Sequence, residues 1–230
     1  MLDALLVLLS AHFIADFLLQ PTWLLKEKNR FAGQLLHAMI VGWLSWFLLQ
    51  QSGSWKLPLF LTAVHFLVDR LKRRFTDGWK LFCWDQVVHL AFTFLLLQFA
   101  LEHGWMTRFV GSGLSWMIGV AGFAVAVQGA GFLIERVVHQ LQEENALADK
   151  IRGLKNGGKL IGLLERALIF LLIMTGQSMG IGFLVAAKSI LRFGETKDDQ
   201  QLAEYVLIGT LLSFGLAIVA ATLTKIALAL

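Results

Sequence analysis

The sequence has little of several residue types that define common protein classes. It contains one cysteine, Cys83, which excludes a disulfide framework and a thiolate zinc cluster built within one chain. Two prolines in 230 residues argue against a disordered chain. Charged residues make up 16% of the chain, whereas a soluble domain averages about 25%. The sequence is therefore not typical of a soluble globular domain.

Apolar residues are abundant, and they come in long runs. They make up 57% of the chain, and the mean hydropathy is +0.68. A helix crosses the roughly 30 Å hydrocarbon core of a bilayer in about 20 residues. The runs predict an all-α, polytopic transmembrane helix bundle of about eight spans. The predicted spans are 2–25, 31–51, 57–71, 83–101, 109–134, 160–176, 179–193 and 204–230.

The basic residues alternate between the predicted loops. The loops after the first, third, fifth and seventh spans, together with the span ends that enter them, hold 16 of the 20 lysines and arginines, and the other loops hold two. Because cytoplasmic loops are enriched in Lys and Arg, this asymmetry predicts that both termini lie outside. The net charge of +4 then reflects topology and anionic lipid headgroups rather than a nucleic-acid partner.

The predicted spans divide the chain into three parts. Residues 1–108 form a His/Asp-rich half of four spans, 109–159 the fifth span with a cytoplasmic connector, and 160–230 a C-terminal half of three spans. Apolar residues recur at roughly helical spacing within 135–159, which predicts an amphipathic helix. This connector is either a solvated helix or a docking surface for a cytoplasmic partner.

Ionisable residues inside spans are costly, about 2.5–3.5 kcal/mol each for carboxylates and bases at the centre, yet the first half keeps seven. Six form pairs at i,i+4 spacing, which places both side chains of a pair on one helix face. The predicted topology puts all seven between mid-membrane and the cytoplasmic edge. The pairs are His12 with Asp16, His65 with Asp69 and Asp85 with His89, and His37 adds a fourth imidazole.

Imidazole and carboxylate together suit a divalent metal. We expect the four histidines to be metal ligands, and Asp16, Asp69 and Asp85 to complete the ligand shell or act as general bases. Zinc is the first expectation, with manganese or iron as alternatives. Two other interpretations remain open, namely a proton or ion relay and structural hydrogen bonding.

The second half has its own polar residues. We expect Glu165 and Arg166, one turn into the sixth span, to belong to a structural ion-pair network. Lys188 and Arg192 are spaced i,i+4 at the end of the seventh span, where they would clamp an anion such as phosphate or a lipid headgroup. The alternative for these two residues is ordinary anchoring at the cytoplasmic side.

The motifs His12-Phe-Ile-Ala-Asp16, His65-Phe-Leu-Val-Asp69 and Asp85-Gln86-x-x-His89 carry a family resemblance. With His37 between them, they resemble a bacterial membrane family known as domain of unknown function 3307, mainly over the first 100 or so residues. The resemblance implies a multi-pass protein of the bacterial inner (cytoplasmic) membrane without an established activity. The His/Asp pattern is also similar to that of membrane-bound metal-dependent hydrolases.

The first functional hypothesis is a membrane-embedded, metal-dependent hydrolase whose site faces the cytoplasm and acts on a lipid or phospho-substrate. The second is a proton- or ion-coupled transporter. The restriction of the polar groups to one side of the membrane argues against it. The third is a non-enzymatic membrane sensor or assembly scaffold. Membrane lipids are the expected partners, and assembly into a homo-oligomer is left open.

Overall fold

The computed structural model describes residues 1–21, 23–24, 30–50, 53, 55–106, 112–145, 156–193 and 200–230, without the side chains of 191–193. This part of the chain contains eight helices and no strand, which confirms the all-α prediction. The helices are α1 (Leu2–Phe17), α2 (Phe31–Leu49), α3 (Lys56–Lys72), α4 (Trp79–Glu102), α5 (Leu114–Glu144), α6 (Gly157–Met174), α7 (Met179–Phe193) and α8 (Gln200–Leu228).

Four helices are long and apolar enough to cross a membrane, namely α2, α4, α5 and α8. The other four are 15 to 18 residues long, and they stay predictions as spans, as does the location of the termini. Helix α5 contains a π-helical turn at Val125–Gly129. It continues as an α-helix to Glu144, so the first part of the predicted connector extends α5, whereas residues 146–155 lie outside the described residues.

The chain forms two compact units, Met1–Ala124 and Val125–Leu230. In the first unit, α1 packs against α2, α4 and the first part of α5, and α3 packs against α2 and α4. In the second unit, α8 packs against α6 and the second part of α5, and α7 packs against α6. The three-part division expected from the spans stays a prediction.

Helix α1 ends earlier than the predicted span 2–25. The backbone amides of Leu18 and Leu19 both bond to the carbonyl of Ile14, which closes the helix after Phe17. Pro21 follows and cannot supply the amide proton that a continuing helix needs. The chain therefore leaves the helix just beyond Asp16. The turn that follows brings the side chain of Gln20 into contact with His37 of α2.

The two ends of the first unit differ in polarity. The apolar core lies where α1 and α3 begin and where α2 and α4 end, and it includes Val7, Leu8, Leu48, Leu49, Leu57, Leu97, Ala100 and Met117. Gly42 brings α2 close to α3, since a Cβ there would lie 2.8 Å from the carbonyl oxygen of Pro58. The buried ionisable residues lie toward the opposite end, where α1 and α3 finish and α2 and α4 start.

Candidate metal centre

Four helices of the first unit bring all seven of its predicted site residues together. Each of them is at most 9% exposed. Helix α1 supplies two, α2 one, α3 two and α4 two, and the i,i+4 spacing turns both members of each pair toward the same interior. The seven are His12, Asp16, His37, His65, Asp69, Asp85 and His89.

Asp16 contacts imidazoles from three helices. Its Oδ1 lies 3.1 Å from Nε2 of His37 and 3.6 Å from Nε2 of His65. Its Oδ2 lies 3.7 Å from Nε2 of His12 and accepts a hydrogen bond of 3.3 Å from the side-chain amide of Gln86. One carboxylate therefore ties α1 to α2, α3 and α4.

The imidazoles themselves lie close together. Nε2 of His37 and Nε2 of His65 are 3.0 Å apart. The ring centroids of His65 and His89 are 4.2 Å apart, and those of His12 and His89 are 5.3 Å apart. Two atoms that each bind one tetrahedral zinc at about 2.0–2.1 Å lie about 3.3–3.4 Å from each other. The 3.0 Å between Nε2 of His37 and Nε2 of His65, and their distances of 3.1 and 3.6 Å to Oδ1 of Asp16, are close to this separation.

Asp69, Asp85 and His89 form a second part of the cluster. Oδ1 of Asp69 is 3.9 Å from Nε2 of His89, and Oδ1 of Asp85 is 3.5 Å from Nδ1 of His89. Nδ1 of His89 donates to the backbone carbonyl of Asp85 at 2.9 Å. Because a carbonyl only accepts, Nδ1 carries the proton and Nε2 carries the lone pair that binds metals.

The donor set passes the test for a divalent metal. Three groups of three residues place nitrogen and oxygen atoms within 4.8 Å of one another, namely His12, Asp16 and His65; His37, His65 and Asp69; and Asp69, Asp85 and His89. All of these residues are buried, and imidazole and carboxylate suit zinc, manganese and iron. Buried histidine and aspartate clusters that fit a metal are therefore present, as the sequence predicted.

Polar side chains that the sequence analysis did not assign to the site surround it. Nζ of Lys72 lies 2.6 Å from Oδ2 of Asp85. Gln34 is 2% exposed and accepts from Arg70 at 3.3 Å. The side-chain amide of Gln20 lies 3.1 Å from Nδ1 of His37. The helical period contained a signal for two of these residues, since Gln34 precedes His37 by three positions and Lys72 follows Asp69 by three.

A cavity of about 10 Å³ lies against the deep side of the cluster. His12, His65 and His89 line it together with Ser45, Thr93 and apolar side chains from all four helices. This volume is about the space that one water molecule occupies. Beyond Ser45 and Thr93 the described interior is the apolar core, so the polar lining ends in the middle of the unit.

The predicted residues of the second unit are placed differently. Glu165 forms an ion pair of 2.6 Å with Lys188, whose ammonium also lies 5.2 Å from the ring of Phe214. Arg166 is 6% exposed and donates from Nε to the carbonyl of Val127 at 3.0 Å and from Nη1 to the hydroxyl of Ser213 at 3.3 Å.

The side chain of Arg192 lies outside the described residues, so the anion clamp of Lys188 and Arg192 stays a prediction. The ion pair of Lys188 with Glu165 joins α7 to α6 within the second unit. The sequence predicted that Glu165 and Arg166 belong to a structural ion-pair network, and the structure pairs Glu165 with Lys188 from the next helix.

Residues 4–112 match the family described as "Protein of unknown function (DUF3307)", which confirms the resemblance over this part of the chain. All seven residues of the cluster lie within the matched segment. No curated protein and no solved structure matches the chain.

Proposed function

We propose that the protein is a membrane-embedded, metal-dependent hydrolase whose site opens toward the cytoplasm. The observation that carries the proposal is the convergence of four buried imidazoles and three buried carboxylates at ligand-like distances. Leaving so many ionisable groups in an apolar unit without a cation is costly, because each buried charge needs a partner. A divalent cation offsets that cost, since it binds imidazole lone pairs and carboxylates alike.

The chain's own residues divide the work of such a site. His12, His37, His65 and His89 hold the ion together with carboxylate oxygens of Asp16, Asp69 and Asp85. Zinc is the proposed metal, with manganese or iron as alternatives. A divalent ion supplies activated water near neutral pH. A carboxylate oxygen not engaged in binding the ion would serve as general base for that water.

An apolar groove next to the cluster supports a lipid as the substrate. The groove has a volume of about 760 Å³, within the roughly 300–1,000 Å³ of small-molecule sites. Gln20 stands between the groove residues Leu19 and Pro21 and contacts His37 of the cluster. The groove is lined by Leu18, Leu19, Pro21, Trp23, Leu24, Met39, Ile40, Trp43 and Leu44. We assign an acyl chain to the groove and the hydrolysed headgroup ester to the cluster.

The one-sided distribution of polar groups favours hydrolysis over transport. A transport path needs polar groups through both halves of the membrane, and in the described residues the polar lining stops at Ser45 and Thr93. The proposed location is the bacterial inner membrane, with eight spans and both termini outside. Four helices of sufficient length and apolar character support the membrane assignment.

Metal analysis of the protein purified in detergent without chelator tests this proposal. We expect near-stoichiometric zinc, manganese or iron in the native chain and its loss from the His65→Ala, Asp69→Ala double variant. His103→Ala is the matched control, because His103 makes the same local bond to a backbone carbonyl four residues earlier but is exposed. A native chain that stays metal-free after each metal is added back would overturn the proposal.

Hydrolysis assays then test the substrate class with the metal-loaded protein. We expect phospholipid hydrolysis in mixed micelles to fall with Trp43→Ala, while hydrolysis of a short-chain soluble phosphoester is unchanged, because only the long chain reaches the groove. An equal loss on both substrates would remove the groove from the proposal. Absence of hydrolysis of either substrate by metal-loaded protein would leave a metal site and contradict the hydrolase.

A further inference from the structure

Asp69 is placed between two groups of imidazoles. Its Oδ2 lies 3.8 Å from Nε2 of His65, and its Oδ1 lies 3.9 Å from Nε2 of His89. The two oxygens of this carboxylate therefore face different histidines, from its own helix and from α4. A carboxylate that presents one oxygen to each of two ligand groups has the arrangement that bridges two metal ions.

The atoms on the far side of Asp69 are acceptors without donors. Nε2 of His89 and Oδ1 of Asp85 are buried and have no hydrogen-bond partner among the described residues. Both residues are less than a tenth exposed, and Nε2 of His89 carries a lone pair because Nδ1 donates to a carbonyl. Buried acceptors without donors are rare in folded proteins, and a bound cation is one of the explanations.

On the near side of Asp69, three imidazoles lie around the carboxylate of Asp16. Nε2 of His37 and Nε2 of His65 face Oδ1 of Asp16 at 3.1 and 3.6 Å, and Nε2 of His12 faces Oδ2 of Asp16 at 3.7 Å. Of these, His12, Asp16 and His65 have ligand atoms within 4.8 Å of one another, and with His37 they equal in number the four ligands that zinc commonly takes. His89 and Asp85 are therefore in excess of what a single ion needs.

We infer that the cluster is a two-metal centre, an inference that rests on the proposed metal site and deepens it. One ion binds His12, Asp16, His37 and His65, the second binds Asp85 and His89, and Asp69 bridges them. Hydrolytic two-metal sites hold ions about 3.5–4 Å apart, which stabilises both the attacking and the leaving oxygen of a phosphoester. The second position has fewer protein ligands, so it keeps room for substrate.

Lys72 weakens metal binding at the second position. Its ammonium lies 2.6 Å from Oδ2 of Asp85, and its side chain is 26% exposed. This ion pair occupies one oxygen of Asp85 and leaves Oδ1 directed into the cluster. Because the ammonium competes with a metal for the same carboxylate, the second ion binds more weakly than the first, and Lys72→Met strengthens its binding.

Manganese titration followed by electron paramagnetic resonance tests this inference, with metal content measured on the same samples. We expect the native chain to bind two equivalents of Mn²⁺ and to give a spectrum of magnetically coupled ions. Asp85→Asn, which keeps the side-chain shape, is expected to bind one equivalent with an uncoupled spectrum. His103→Ala is expected to behave as the native chain, and circular dichroism verifies that every variant is folded.

The outcomes separate this inference from the proposed function. Two coupled ions in the native chain and one isolated ion in Asp85→Asn support the two-metal centre. A single uncoupled equivalent in the native chain overturns it, with a water in the neighbouring cavity then satisfying His89, and leaves the metal site intact. No bound metal at all overturns both. If Asp85→Asn fails to fold, Lys72→Met still decides, because tighter binding of a second equivalent is expected only with two positions.

Discussion

The two units bury charge in opposite ways. In the first unit, imidazole nitrogens and carboxylate oxygens lie close together, and Nε2 of His89 and Oδ1 of Asp85 have no hydrogen-bond partner among the described residues. In the described part of the second unit, the charged side chains between the helices have partners within the unit. Glu165 pairs with Lys188, and Arg166 donates to a carbonyl and a hydroxyl.

This difference suggests a way to distinguish a ligand-binding site from a polar network that only supports helix packing, namely whether its buried donors and acceptors satisfy one another. A network that supports helix packing satisfies its own donors and acceptors, because an unpaired buried group costs about 1–3 kcal/mol. A network with excess acceptors is complete only when a cation joins it. Among the described residues, the first unit has buried acceptors of this kind, namely Nε2 of His89 and Oδ1 of Asp85.

Metal removal should produce the largest contrast. A ligand that binds only the folded state at 1,000 times its dissociation constant stabilises it by about 4 kcal/mol. We expect zinc to raise the thermal midpoint of the native chain in detergent and a chelator to lower it. Asp69→Asn should show a much smaller response to both. An identical midpoint with zinc and with chelator, recorded by circular dichroism, would contradict the comparison.

Removal of the guanidinium of Arg166 should have the next largest effect. Arg166→Leu leaves the carbonyl of Val127 and the hydroxyl of Ser213 without their donor inside the second unit. Two unsatisfied buried groups predict a loss of about 3 kcal/mol in the free energy of unfolding. Metal content should be unchanged, since the cluster belongs to the other unit. Loss of metal from this variant would show that the two networks are not independent.

Crowding the same guanidinium should have a smaller effect. A Cβ on Gly162 would lie 2.9 Å from Nη1 of Arg166, so Gly162→Ala displaces the guanidinium, with an expected cost of about 1–2 kcal/mol. Gly158→Ala is the matched control on the same helix, because nothing lies within 4 Å of its Cβ position. The control is expected to be neutral or slightly stabilising. Equal chemical-denaturation curves for the two variants would argue against close packing around Arg166.

The helical period made much of the site predictable. His12 and Asp16, like His65 and Asp69, share a helix face whatever the tertiary structure, so the pairs follow from spacing alone. The depth of these residues in the membrane, inferred from the alternation of basic loops, stays a prediction. The end of α1 was less predictable, because it depends on how Leu18 and Leu19 bond to Ile14, and the hydropathy of residues 18–25 favoured a longer span.

The contacts between side chains on different helices could not be predicted from the sequence. The ion pair of Lys72 with Asp85 joins α3 to α4 across a turn. Several other basic residues lie near that turn in the sequence, and nothing in the sequence favoured Lys72 over them as the partner of Asp85. The choice of Lys188 as the partner of Glu165 likewise depended on the packing of α7 against α6. The sequence predicted an ion-pair network at Glu165 and Arg166 but did not name a partner from another helix, because the order of residues does not say which helices pack together.

The sequence by itself determined that the chain is helical, apolar and rich in paired histidine and aspartate, because composition and period are local properties. Which of these residues contact one another was decided by the tertiary structure. Asp69 faces both His65 and His89 because α3 packs against α4, and His37 joins them because α2 packs against α1 and α3. A metal centre needs atoms within a few ångströms in three dimensions, and only packing of the helices brings residues so distant in the chain to that separation.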